Sequence, residues 1–167
     1  MTFVSVRTAI AVVSLTACLF TTAAARLDRR IVDTAEAGNP TSEAVHGYAG
    51  DDASVGMSGG KSYRETRSWM HYALKTFEDT PVTIVCTFVS TDSAVRNYDI
   101  VVEDSVIASR TFLPQSRTAS TVEFAVPFSL TKGKANVAIV IRARGGQTPA
   151  LQMIRTIQEH YEFEQEH

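Results

Sequence analysis

From residue 68 onward, apolar and polar positions alternate along the chain with a period of two. In SWMHYALKTF (68–77), Met70, Tyr72 and Leu74 fall on one side and Trp69, His71 and Ala73 on the other. Successive side chains of an extended chain point to opposite faces, so this pattern predicts a strand with one face on a core. VTIVCTFVS (82–90) is apolar on both sides and predicts a central strand. Further strands are predicted at 97–104 (NYDIVVED), 106–112 (VIASRTF), 121–127 (TVEFAVP), 136–144 (NVAIVIRAR) and 150–157 (ALQMIRTI). The breaks between them carry turn chemistry: Glu78-Asp79-Thr80-Pro81, a tight hairpin at Glu103-Asp104-Ser105, Leu130 to Lys134, and Gly145-Gly146-Gln147-Thr148-Pro149.

Short strands with a turn signal roughly every ten residues, and no sustained helical period over 63–157, predict an all-β fold. Its class is an antiparallel β-sandwich of the jelly-roll or galactose-binding-like type. Residues 26–62 read as a charged lead-in and loop packing on the sandwich, with Ile31-Val32 as a short strand and at most one edge strand in the Gly-, Ser- and Asp-rich remainder. Residues 63–157 are the sandwich core. The acidic tail QEHYEFEQEH (158–167) lacks a core face and reads as a frayed extension or a short exposed helix.

The first 25 residues are different in texture. Arg7 precedes an apolar run (8–20) that ends at Ala23-Ala24-Ala25, the small-residue pattern of a secretory signal peptide cleaved before Arg26. The protein is therefore expected to be secreted. Leu15-Thr16-Ala17-Cys18 also fits a bacterial lipoprotein pattern, in which Cys18 would carry a lipid. Without that lipid no membrane association is expected. Cleavage leaves one cysteine, Cys86, inside an apolar strand and expected to be buried and inert.

A net charge of −2 argues against a non-specific nucleic-acid partner. Two cysteines cannot build a four-thiolate zinc site. No G-x-S-x-G, P-loop, G-x-G-x-x-G or H-E-x-x-H motif occurs. Asp51, Asp52, Asp92 and Asp99 could in principle supply a glycosidase carboxylate pair, and Asp51 and Asp52 could bind calcium through a loop, but solvated loop carboxylates explain them as well. No cofactor and no metal is expected.

The densest functional signal is KSYRETRSW (61–69), with two arginines, a tyrosine and the only tryptophan in nine residues. Aromatic faces stack on sugar rings, and arginine donates paired hydrogen bonds to hydroxyls or carboxylates. The alternative is structural: Trp69 caps the sandwich while Arg64 and Arg67 pair with Asp92, Asp99 or Glu65.

Three blocks in fixed order, GGKSYRETRSWMHYAL (59–74), TIVCTFVSTDSAVRNYDIVVEDSVIASRTF (83–112) and VEFAVPFSLTKGKANVAIVIRARGG (122–146), carry a family resemblance. They resemble the C-terminal β-sandwich, substrate-binding domain of β-L-arabinofuranosidase-type enzymes (glycoside hydrolase family 146 and relatives). Ile31-Val32-Asp33 and Ser42-Glu43-x-x-His46 resemble the lead-in to that domain. The sequence departs from the family pattern at Phe88 to Asp92, where a tryptophan-glycine element is usual, and at Ser105, where the hairpin has glycine. The family's separate catalytic barrel, with its cysteine nucleophile and zinc site, has no counterpart here. The resemblance implies a non-catalytic carbohydrate-binding module, standing alone and binding a glycan, with an arabinose-containing one the first to consider. The residues expected to hold that glycan are Tyr63, Arg64, Arg67, Trp69, His71 and Asp92. The alternatives are a secreted protein–protein interaction module on the same sandwich, and a small carboxylate-dependent glycosidase. The sequence does not name the oligomeric state.

Overall fold

The computed structural model describes residues 26–114 and 119–162. The expected signal peptide with Cys18, and the last residues of the acidic tail (163–167), lie outside the described residues. Within them the chain runs β1 (Arg26–Glu36), α1 (Pro40–Val45), β2 (Ala49–Ser58), β3 (Lys61–Lys75), β4 (Val82–Val89) and β5 (Arg96–Val102). It continues through β6 (Ser105–Phe112), β7 (Ser120–Ala125), α2 (Phe128–Thr131), β8 (Asn136–Ala143) and β9 (Ala150–Glu162). Every ladder is antiparallel. Two groups of strands result, β1-β9-β4-β7 and β2-β3-β8-β5-β6, joined by the single bridge Arg64–Leu151. They form the two layers of a nearly barrel-like sandwich, the jelly-roll class expected.

The period-two pattern decides what lies between the layers. Met70, Tyr72 and Leu74 of β3, Val137, Ile139 and Ile141 of β8, and Tyr98, Ile100 and Val102 of β5 face Ile84, Cys86 and Phe88 of β4, Phe124 of β7 and Ile154 of β9. Phe88 reaches across the gap, its ring centroid 5.2 Å from Tyr98 and 6.0 Å from Phe112. Strand β4 is central, between β9 and β7, as its two apolar faces require. Cys86 is fully buried, and that burial pushes its thiol pKa well up. The β5–β6 hairpin turns on Glu103 and Asp104, both left-handed with φ of 49° and 65°, the geometry a two-residue turn needs to match strand twist.

Residues 26–62 are more than a lead-in. β1 lies along β9 and β2 lies along β3, so both belong to the sandwich. Each is an edge strand with one backbone neighbour, and most of β2 is exposed. Backbone hydrogen bonds hold such a strand without an apolar face, which is why no alternation marks it. The tail also differs from the expectation, because β9 continues to Glu162. Gln158 is only 2% exposed, yet it is fully satisfied. Its amide donates to the carbonyls of Phe77 (2.9 Å) and Thr80 (2.8 Å) and accepts from the Phe77 N–H (2.6 Å). A polar side chain can enter a core when each of its atoms finds a partner.

Native protein should leave Cys86 unlabelled by a thiol reagent such as DTNB, with full reaction only in denaturant, because the buried thiol is neither ionised nor reachable. Rapid labelling of the folded protein would contradict the packing described.

Candidate functional site

Strand β3 sorts the expected site residues by parity. Met70, Tyr72 and Leu74 point into the core, so Tyr63, Arg67, Trp69 and His71 share the outer face of the five-stranded layer. Trp69 is 37% exposed, so its ring stands on the outer face and does not cap the interior of the sandwich. Arg67 is exposed and has no hydrogen-bond or ion-pair partner among the described residues. His71 Nδ1 donates to the Gly47 carbonyl at 3.1 Å. The Tyr63 ring lies over Gly56, where a Cβ would stand 2.3 Å from Cζ and Oη. The absence of a side chain at Gly56 gives that ring its place.

The outer face contains a row that runs across all five strands. In register, Asp51 (β2) lies beside Trp69 (β3), then Arg142 (β8), Asp99 (β5) and Ser109 (β6). Two residues along, on the same face, stand Arg67 on β3 and Arg144 just past β8. Because the strands are antiparallel, both lie toward the same end of the sheet. Asp99 is 6% exposed, and its carboxylate accepts from Ser109 Oγ (2.6 Å) and Arg142 Nη2 (2.9 Å), with Arg144 Nε at 3.6 Å. Burial disfavours its charge, but the Ser109 hydroxyl and the two guanidinium groups outweigh it and hold Asp99 below the usual carboxylate range. Arg142 and Arg144 keep about half their side-chain surface in solvent, at 48% and 52%.

Two expected residues do not join this face. Arg64 points to the inner side of β3. It is gripped by Glu43, Nε to Oε1 at 2.8 Å and Nη2 to Oε2 at 2.7 Å, and lies 4.6 Å over the Tyr48 ring. Glu43 comes inward on α1, whose N-terminus is capped by Asn39 and started by Pro40. Glu43 also accepts from the Gly38 N–H at 2.7 Å. Gly38 has φ of +77°, and a Cβ there would meet Val55 Cγ2 at 2.7 Å, so both the turn and the packing require glycine. Burial works against the Glu43 charge, yet Arg64 and Gly38 outweigh it and hold the carboxyl low. Arg64 is therefore a tether for the N-terminal elements. His46 adds to the tether, with Nδ1 donating to the Ser42 carbonyl (2.7 Å) and Nε2 against Asp33 (3.2 Å). Asp92 sits in the β4–β5 loop, where it pairs with Arg96 and accepts from the Ala94 N–H at 2.8 Å.

Arg142, Arg144 and Asp99 are the outer-face residues that the search for a dense motif passed over. Their parity against Ile141, Ile139 and Ile100 would have placed them outward. Among the described residues, no group of three or more His, Cys, Asp or Glu side chains is placed to hold a metal ion. Asp92 and Asp99 are both committed to arginines, and Asp99 is held charged, which makes it a poor general acid. A cavity of about 410 Å³ lies elsewhere, at the β2–β3 hairpin, lined by Glu36, Asn39, Met57, Lys61, Gln152 and Met153 among others.

The profile of DUF6805, described as a family of unknown function, matches residues 26–157. The chain belongs to this family. No curated protein matches the sequence. Among solved structures, a family 35 carbohydrate-binding module from an environmental isolate aligns with a TM-score of 0.59 at 16% identity, over 74% of this chain and 90% of that one. A family 35 carbohydrate-binding module from Clostridium thermocellum aligns with a TM-score of 0.56 at 11% identity, over 77% and 97%. A CBM36 carbohydrate-binding module solved with calcium and xylotriose aligns with a TM-score of 0.51 at 16% identity, over 74% and 98%. At these identities the likeness is one of fold.

Removing either partner of the Glu43–Arg64 pair strands a buried charge. Glu43→Gln or Arg64→Gln should cost about 3 kcal/mol in urea unfolding, and the double change Glu43→Leu with Arg64→Met should cost less than either. Asp33, Glu43, Asp99 and Glu103 are all held below their ordinary values. The unfolded chain therefore takes up protons first, at about pH 4. Their stabilisation is complete above that pH and should be lost as pH falls below it. Melting temperatures between pH 7 and pH 3 read this directly, and a flat profile would oppose it.

Proposed function

We propose that this chain is a secreted, non-catalytic glycan-binding module that uses the outer face of its five-stranded layer. The observation that carries the reading is Trp69, the chain's only tryptophan, standing exposed on a sheet face beside Arg67 and Arg142. An aromatic ring exposed in this way is costly to leave in water and suited to stacking on the CH face of a sugar. The flanking guanidinium groups would donate to ring substituents and set the orientation. Tyr63 and His71 extend the same face along β3.

The likeness of fold to carbohydrate-binding modules supports this reading. So does the resemblance of residues 59–74 to the substrate-binding sandwich of β-L-arabinofuranosidase-type hydrolases, which makes an arabinose-containing polymer the first ligand to try. The apolar segment before Arg26 supports export.

Affinity electrophoresis in gels containing arabinan, galactan or xylan is the direct test. Wild-type protein should be retarded by at least one polymer, Trp69→Ala should lose about tenfold or more of that affinity with its melting temperature little changed, and no reducing sugar should be released. Absence of retention on every polysaccharide would remove the proposal.

A further inference from the structure

The two layers part at one side of the sandwich, where β6 ends the five-stranded layer and β7 ends the four-stranded one. A cavity of about 200 Å³ opens there, lined by Tyr98 of β5, Arg110 and Phe112 of β6, Leu113, and Ser120 and Val122 of β7 among others. It shares no residue with the outer face that carries Trp69. Tyr98 is 1% exposed, yet its hydroxyl has no hydrogen-bond partner among the described residues. Buried polar groups are nearly always bonded, and an unpaired one costs free energy. The Tyr98 ring is explained by packing, since it meets Phe88 edge-on at 5.2 Å. Its oxygen is not explained by anything in the fold.

Arg110 stands beside it. The two are direct partners in the β5–β6 ladder, so both side chains point to the interior side of their layer. An arginine there would be out of place in a dry core, but β6 is an edge and Arg110 lies exposed at the opening. Its Nη1 donates to the Ser109 carbonyl at 3.4 Å, and it has no ion-pair partner among the described residues. Asp99, the one acid of that ladder, faces the other way and is held by Ser109 and Arg142. The charge of Arg110 is felt at the Tyr98 hydroxyl, where it works against the stronger effect of burial.

We propose that this opening is a second binding site, for a small organic monocarboxylate: an aryl or short alkyl acid whose carboxylate takes the Tyr98 hydroxyl and the Arg110 guanidinium while its hydrocarbon part lies against Phe112, Leu113 and Val122. Burial keeps the Tyr98 phenol neutral and therefore a donor. A hydroxyl and a guanidinium side by side match the oxygens of one carboxylate, and hydrogen bonds to an ionised acceptor are the strong ones. The walls ask for an apolar body. Phe112 is buried, and Leu113 is 61% exposed at the rim, where a bound hydrocarbon would cover it. The volume sets the size. It exceeds the roughly 30 Å³ of a water molecule several times over and falls short of the ~300 Å³ at which drug-sized pockets begin, so the ligand is a single ring or a short chain.

NMR titrations of the isotope-labelled full chain test this with benzoate, phenylacetate and hexanoate, each beside its neutral amide. The acids should shift backbone signals around Tyr98, Arg110 and Val122 and bind about tenfold more tightly than the amides. Tyr98→Phe keeps the ring and removes the oxygen alone. It should lose about tenfold for the acids, while its melting temperature without ligand stays level or rises, because no bond within the protein is lost. Arg110→Gln, at an exposed side chain, should fold normally and bind acid and amide alike. Trp69→Ala should bind the acids as wild type does, so this site stands or falls separately from the glycan-binding reading. Silence towards all three acids, equal binding of acids and amides by wild type, or an affinity indifferent to either Tyr98→Phe or Arg110→Gln would overturn the proposal. A clearly lowered melting temperature of Tyr98→Phe would overturn it too, by showing that the hydroxyl serves the fold.

Discussion

A strand that lines a core must turn every second side chain away from it, and β3 is where this constraint organises the molecule. Fifteen residues long, it pairs with β2, β8 and, at one bridge, β9. Its inward residues Met70, Tyr72 and Leu74 help close the dry interior. The same backbone geometry presents Arg67, Trp69 and His71 to the outside. Core and candidate site are thus two sides of one element, and neither can shift register without the other. A one-residue slip would place Trp69 in the core and Met70 in water.

Polar contacts attach the N-terminal elements to this frame. Glu43 receives Arg64, Gly38 and, at 3.4 Å, Tyr72, while Asp33 receives the Lys75 N–H at 2.8 Å. These groups sit between α1, β1 and β3, where little apolar surface is available. Ala35 and Ala37 are the small residues that pass into the core at this point. The arrangement fixes α1 by directional bonds, with each partner satisfied, so that the segment is held in one orientation.

The strands between 68 and 157 were legible because each carries an apolar face that must be buried. The sandwich class followed from their number and spacing. β1 was legible only at Ile31-Val32 and β2 only as an unplaced edge strand: as edges they are stabilised through the backbone ladder, and their side chains record little of it. The site was legible in part. Arg64 and Arg67 belong to the same dense motif, and residue type does not separate them. Parity along β3 does, but the decisive partner of Arg64 is Glu43, 21 positions away, and its approach depends on a helix of six residues. Asp92 and Asp99 were similarly alike as letters. One lies in a loop with Arg96, and the other lies in a ladder position beside Arg142.

The pairing of β1 with β9 has a consequence for how the molecule is made. The first and last described strands are neighbours, from Arg26 opposite Glu162 to Glu36 opposite Met153. Loop-closure entropy across such a span must be met before any of those hydrogen bonds form, which places this sandwich among slow-folding topologies. A polypeptide emerging N-terminus first, from a ribosome or through an export channel, would hold β1 without its partner until the final strand arrived. β9 also lies between β1 and β4, so the four-stranded layer cannot assemble ahead of it. That layer would then close only once β9 had been delivered, whereas the β2–β3 and β5–β6 hairpins can pair before it.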